Sequence, residues 1–198
     1  MRDFYPKLQW SDLEVTFKGL DTFTSAVVNP STIIEQGIVS PAEGFPEIIV
    51  DDNNPECALQ QNGIDLRLAE VGIASGTTRF TLGKRDDSKC SYNPVLPDSA
   101  GMFTFQPGQQ YALDFMEWVD TPKNLSSYIF TRSSVNRYSG IFMTGYWDSG
   151  FRGRLGGIFR PSVPTTVEVG CRMAQIVFFK SNPAKLYDGQ YQDQDKQA

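Results

Sequence analysis

Hydrophobic and polar positions alternate over short distances in this chain. Ile64, Leu66 and Leu68 take every second place, with Asp65 and Arg67 between them. That period-two signature belongs to a strand whose side chains point to opposite faces. Phe103-Thr104-Phe105, residues 111–119, Tyr128-Ile129-Phe130 and residues 166–169 and 174–179 are aromatic or β-branched runs. Pro-Gly, Asp-Ser-Gly and Val-Gly turn signals separate them, so they read as buried strands. The clearest helix is short, residues 30–36, with Asn29 as N-cap, Pro30 in the first position and Gly37 as a left-handed stop. A second turn of the same kind is expected after Thr121-Pro122. Residues 69–100 turn polar around Gly76, Gly83 and Lys84-Arg85-Asp86-Asp87, which suits an exposed hairpin or a long loop. The whole pattern predicts an all-β sandwich or barrel with one or two short helices. Residues 1–27 precede the first helix and read as an N-terminal extension.

Composition narrows the function more than the fold. With 198 residues, 40% hydrophobic and 21% charged, the chain reads as one ordinary globular domain with an appendage. A net charge of −5 argues against a general nucleic-acid binder, whose affinity comes from neutralising phosphates. The chain contains no histidine. Ser-His-Asp and Cys-His catalysis are therefore excluded, as is the zinc deaminase pattern, because Cys57, Cys90 and Cys171 never approach Cys-x-x-Cys spacing. Three scattered cysteines read as reduced thiols in the cytoplasm. The N-terminus lacks an apolar signal region and no stretch reaches membrane-span length, so no membrane partner is expected.

Charge is distributed unevenly. Between residues 131 and 160 the ionisable groups are Arg132, Arg137, Arg152, Arg154 and Arg160 with a single acid, Asp148. Such a cationic segment beside glycine and serine turns suits a polyphosphate pocket, because guanidinium groups bind phosphate bidentately. A solvated arginine face is the plain alternative. Asp148, inside Trp147-Asp148-Ser149-Gly150, could deprotonate a water beside a bound phosphate, although Asp-x-Gly is also an ordinary turn.

Several separated segments carry a family pattern: residues 33–41, 61–68, Phe105-Gln106-Pro107-Gly108, Glu117-Trp118-Val119, Arg132-Ser133-Ser134 with Arg137, residues 148–153, and Ala174-Gln175-Ile176. In these the chain resembles the dCTP deaminase and dUTPase superfamily, nearer its dCTP deaminase branch, from about residue 30 to the C-terminus. The resemblance implies a distorted β-barrel or jelly-roll of the dUTPase-like, β-clip type. It implies a homotrimer with active sites at subunit boundaries, a β domain over 28–180, and a tail, 181–198, that closes over the site. It implies no protein-bound zinc, in agreement with the missing histidines. Arg132, Ser133, Ser134 and Arg137 inherit the phosphate-binding role. Thr144, Gly145, Tyr146 and Trp147 match the hairpin that reads base and sugar, with ordinary hairpin packing as the alternative for the two aromatics. Tyr187, Tyr191 and Gln194 fall in the closing tail, which as a polar terminus could equally lack order. Asp148 matches the carboxylate that activates water against the α-phosphorus, with Mg²⁺ held mainly by the triphosphate and no metal-ligating residue of the chain.

Departures from the pattern point to the reaction. Deaminases of this family place a glutamate ten residues after the aspartate, and here that position is Ile158. An isoleucine moves no proton, and losing a general acid/base costs about 10²- to 10⁴-fold. Gly156-Gly157 replace a bulkier pair, and Gln190 stands where a phosphate-binding lysine is usual. The leading expectation is a dUTP diphosphatase giving dUMP and pyrophosphate. The alternatives are a deaminase of dCTP or of a modified-pyrimidine dNTP, for which the two glycines would make room for a larger base, and a non-catalytic nucleotide-binding trimer.

Overall fold

A computed structural model describes residues 26–193 apart from 82–83. Residues 1–25 of the expected extension, and Gln194 with the end of the tail, lie outside the described residues. The elements in order are α1 (Pro30–Glu35), β1 (Val39–Pro41), β2 (Ile64–Thr81), β3 (Lys84–Val95), β4 (Met102–Phe105), β5 (Tyr111–Asp120), β6 (Leu125–Thr131), α2 (Ser133–Tyr138), β7 (Gly140–Met143), β8 (Tyr146–Trp147), β9 (Arg152–Pro161), β10 (Thr165–Glu168) and β11 (Arg172–Lys180). The predicted first helix is present, with Asn29 Oδ1 accepting from the Ser31 amide at 2.9 Å and Gly37 at φ +68. It stops one residue early, and Gln36 is its C-cap. No helix follows Thr121-Pro122: the Leu125 amide donates to the Pro122 carbonyl in a single turn, because Leu125 already belongs to β6, where it is buried.

The antiparallel strands run in the order β7-β9-β5-β2-β11-β6-β8, with β1 added on β5 and β3 on β2. β7 and β8 stand at opposite ends of that order, yet only Thr144 and Gly145 separate them in the chain. The ends must therefore meet, which curls the sheet toward a barrel. The smaller β4–β10 sheet packs onto it through Phe105, whose ring lies 5.2 Å from Phe159 and 4.8 Å from Tyr111. Ile64, Leu66, Leu68, Leu113, Phe115 and Leu155 join these in the core, each side chain contributing roughly 1.5–3 kcal/mol over exposure.

Two features of this sheet position the site. The polar stretch after residue 69 is a long hairpin of β2 and β3. On β5, the three residues between Asp114 and Trp118 oppose one residue, Leu155, between Gly156 and Arg154, a bulge. The carbonyls it releases are taken up elsewhere: Phe115 O accepts from Arg154 Nε at 2.7 Å and Met116 O from the Ala42 amide at 2.7 Å. Glu117, fully buried at the same bulge, accepts from the Arg67 amide at 2.9 Å and from its Nε at 2.7 Å. The same guanidinium donates to the Pro46 and Glu47 carbonyls and pins the 46–47 loop. The second face of β2 is thus also covered, and Asp65 as well as Ile64 and Leu66 is fully buried.

Candidate functional site

Asp148 sits in a tight turn after β8. The Phe151 amide donates to the Asp148 carbonyl at 3.1 Å and Gly150 has φ +85, the geometry of a type II turn that needs glycine in its third place. Ser149, between them, is buried and donates to the Leu125 carbonyl at 2.5 Å. The turn is fixed while the Asp148 side chain is exposed, and among the described residues it forms no ion pair. It lines a cavity of about 810 Å³ together with Thr144, Gly145, Tyr146 and Trp147, with Gly156, Gly157 and Ile158 on β9, and with Tyr187 and Tyr191 of the tail.

The hairpin aromatics differ from each other. Trp147 packs its ring 4.8 Å from Phe151 and donates from Nε1 to Thr144 Oγ1 at 3.0 Å. Tyr146 shares a 2.5 Å hydrogen bond between its hydroxyl and Ser126 Oγ, yet its ring is exposed. From the other side the tail returns to the turn. The Tyr187 amide donates to the Ser149 carbonyl at 2.8 Å and its ring lies 5.2 Å from Phe151.

The phosphate motif lies elsewhere in the chain. Arg132 is the N-cap residue of α2, Ser133 and Ser134 open that helix, and Arg137 is in its last turn. None of the four lines the Asp148 cavity. α2 leads into the Gly140 end of β7 and the cavity begins at Met143, so roughly 10 Å of strand separates them. Arg137, Ser133 and Ser134 are exposed. Arg132 ion-pairs through Nε with Asp65 Oδ2 at 3.0 Å and donates from Nη1 to the Arg172 carbonyl at 3.1 Å. Burial pushes the Asp65 carboxyl above its ordinary range, partly offset by Arg132, Gln175 and Arg172, and it pushes Glu117 up in the same direction against Arg67.

The other arginines of the cationic segment have partners within the chain, although Arg154 also lines the Asp148 cavity. Arg152 pairs with Asp193 at 2.7 Å, Arg154 with Glu70 at 2.9 Å while stacking over Phe45, and Arg160 donates to Gln110 Oε1 at 2.9 Å. A continuous polyphosphate cradle along residues 131–160 is not what the chain builds.

Asp114 also lines the cavity, as do Glu70 and Gln110, none of which the sequence pattern singles out. Asp114 pairs with Gly156 across β5 and β9, and a Cβ at Gly156 would lie 2.6 Å from Asp114 Oδ1 and 2.8 Å from the Leu113 carbonyl oxygen. A Cβ at Gly157 would meet the Phe142 ring at 2.5 Å and the Met143 carbonyl oxygen at 2.6 Å. The two glycines are thus required by their neighbours and do not simply open space. The available signal was a lone acid in the alternating run from Tyr111 to Phe115, on the face opposite the core.

A model of the dCTP deaminase-like family matches residues 42–181. Among curated proteins, a probable deoxyuridine 5'-triphosphate nucleotidohydrolase of Halobacterium salinarum is 31% identical over 149 residues, covering 74% of this chain and 87% of that protein. A protein of Persephonella marina named dCTP deaminase, dUMP-forming, is 32% identical over 143 residues, 69% of this chain and 78% of that one. Among solved structures, the 2'-deoxycytidine 5'-triphosphate deaminase of Agrobacterium tumefaciens superposes with a TM-score of 0.57 at 19% identity, covering 80% of this chain. This chain spans about half of that structure, 49% of its length, and the likeness is one of fold.

Proposed function

The chain belongs to the dCTP deaminase-like family, and from that premise we propose that it is a dUTP diphosphatase: dUTP and water give dUMP and pyrophosphate. The observation that carries this reading is the Asp148 carboxylate, exposed and outside any ion pair among the described residues, on the wall of a cavity of about 810 Å³. In this mechanism Asp148 takes a proton from a water as the water oxygen bonds to the α-phosphorus. The bond from that phosphorus to the bridging oxygen breaks, and pyrophosphate leaves with the electron pair. Arg132, Ser133, Ser134 and Arg137 hold the phosphates. Thr144, Gly145, Tyr146 and Trp147 hold base and sugar, and Tyr187, Tyr191 and Gln194 close over them.

The distance between α2 and the Asp148 cavity supports a site completed by a second copy. Tyr138, Ile141 and Met143, around α2 and β7, are exposed hydrophobics that such a contact would cover. A homotrimer with one site per boundary meets both needs. Among the described residues no three His, Cys, Asp or Glu side chains gather where they could hold an ion. Mg²⁺ enters this reading as a companion of the triphosphate, where it would supply charge neutralisation. No helix of the described residues is long and apolar enough to cross a membrane, and we place the protein in the cytoplasm, with the dNTP and its own copies as partners.

With dUTP and Mg²⁺, pyrophosphate is expected, and Asp148→Asn should remove it by about 10²-fold or more without changing the oligomer. Undiminished turnover in that variant overturns the assignment of Asp148. One observation favours a second reading. Asp114 brings another carboxylate into the cavity that Ile158 lines, so it could move protons in a deamination. Ammonia release from dCTP that disappears in Asp114→Asn would establish that reading.

A further inference from the structure

The phosphate reading leaves one buried acid without a part. Asp65 on β2 is fully buried, between the core residues Ile64 and Leu66, at a place where packing alone asks for no charge. A carboxylate is costly to bury unless it is paired. Its Oδ2 lies 3.0 Å from Arg132 Nε and 3.5 Å from Arg172 Nη1, a Coulombic contact without a well-aligned hydrogen bond. Gln175 Nε2 donates to Oδ1 at 3.3 Å and holds the carboxylate from its other oxygen.

The two arginines are not equivalent. Arg172 gives Nη1 to the Cys57 carbonyl and Nη2 to the Pro55 carbonyl, so it belongs to the wall. Arg132 is held at two nitrogens, Nε toward Asp65 and Nη1 to the Arg172 carbonyl, and its Nη2 forms no hydrogen bond among the described residues. The side chain is still 28% exposed. Two corners of the guanidinium are held and the third, Nη2, is open. A planar donor fork recognises phosphate by direction as well as charge, so the clamp decides where a phosphate can sit.

We propose that Asp65 is a positioning residue that fixes the Arg132 guanidinium so that its open Nη2 sets the register of the triphosphate against the attacking water. This rests on Arg132 as a phosphate ligand. Attraction cannot be the purpose of Asp65, because its negative charge weakens the pull of Arg132 on an anion. Removing that charge leaves attraction intact and loses only direction. Misplacement of about 1 Å at a reacting centre costs on the order of 10²-fold in rate.

The experiment compares Asp65→Asn, Arg132→Ala and Gln175→Leu in turnover of dUTP and in affinity for the non-hydrolysable α,β-imido analogue of dUTP. Arg132→Ala is expected to weaken the analogue about tenfold or more. Asp65→Asn is expected to lower kcat by about tenfold or more per folded molecule while analogue affinity stays level or tightens, a split that a loss of folding would not produce. Gln175→Leu keeps every charge and should lower kcat several-fold in the same direction. A folded Asp65→Asn with wild-type kcat overturns the proposal. If that variant does not fold, a wild-type kcat in Gln175→Leu does so. Unchanged binding and turnover in Arg132→Ala would instead remove the phosphate assignment, and the positioning role with it.

Discussion

Single residues decide what this cavity can be. At Gly156 and Gly157 the chain has no room for even one methyl group, since a Cβ would fall within 2.6 Å of Asp114 Oδ1 and within 2.5 Å of the Phe142 ring. Backbone carbonyls lie almost as near and cannot swing away. Gly156→Ala and Gly157→Ala are each expected to lose about 1–3 kcal/mol in urea unfolding, the usual cost of overpacking. The glycine pair was legible in the sequence as a departure, but its cause was not, because Asp114 and Phe142 reach it only through strand pairing. Buried acids make a second prediction. Asp65 and Glu117 are both raised by burial, so the folded chain holds their protons more tightly than the unfolded one. Their contribution to stability is complete below the ordinary carboxylate range, about pH 4, and is lost as pH rises through the raised values. Unfolding in the window just above that range should therefore release protons, seen by calorimetry in buffers of different ionisation enthalpy. Proton uptake there would contradict both shifts.

At the scale of elements, local signals carried some segments and failed on others for one reason. α1 announces itself through Asn29, Pro30 and Gly37, whose effects act within a few residues. α2 has no side-chain cap hydrogen bond, and its six residues give no periodicity to read. The arginine segment looked like one cradle because charge counting cannot see partners far along the chain: Glu70 meets Arg154 across 84 residues and Asp193 meets Arg152 across 41. The second of these contacts is the seam of the tail. The Asp193 amide donates to the Arg152 carbonyl at 2.9 Å, the Arg152 amide to Gln192 Oε1 at 3.2 Å, and Gln192 Nε2 to the Gly150 carbonyl at 2.9 Å. The ion pair itself is half-exposed and is worth about 0–1 kcal/mol, so backbone contacts hold most of the seam. Arg152→Asp should loosen the tail, seen as faster proteolysis beyond residue 180 and a KM for dUTP raised several-fold. The reciprocal pair Arg152→Asp with Asp193→Arg should recover part of both. A tail that stays protected in the single variant would place the seam elsewhere.

For the whole molecule, the arrangement of strands sets a limit that no single residue shows. α2 and the Asp148 turn are attached to opposite ends of β7, and the ladder between β7 and β9, paired from Gly140↔Pro161 to Met143↔Ile158, keeps them apart. On the proposed reading, the phosphate motif and the general base that serve one reaction come from different copies. Consider two inactive variants, Asp148→Asn and Arg132→Ala, mixed in equal amounts and allowed to exchange subunits. In random assemblies about one quarter of the boundaries would pair an intact acid from one chain with an intact arginine from its neighbour. Turnover of dUTP should accordingly rise from the level of either variant to about a quarter of wild type. If acid and arginine worked within one chain, every site in the mixture would carry one defect and no activity would return. Exchange can be followed separately with a mass tag on one variant, so an absence of recovery in fully exchanged assemblies would refute the shared site.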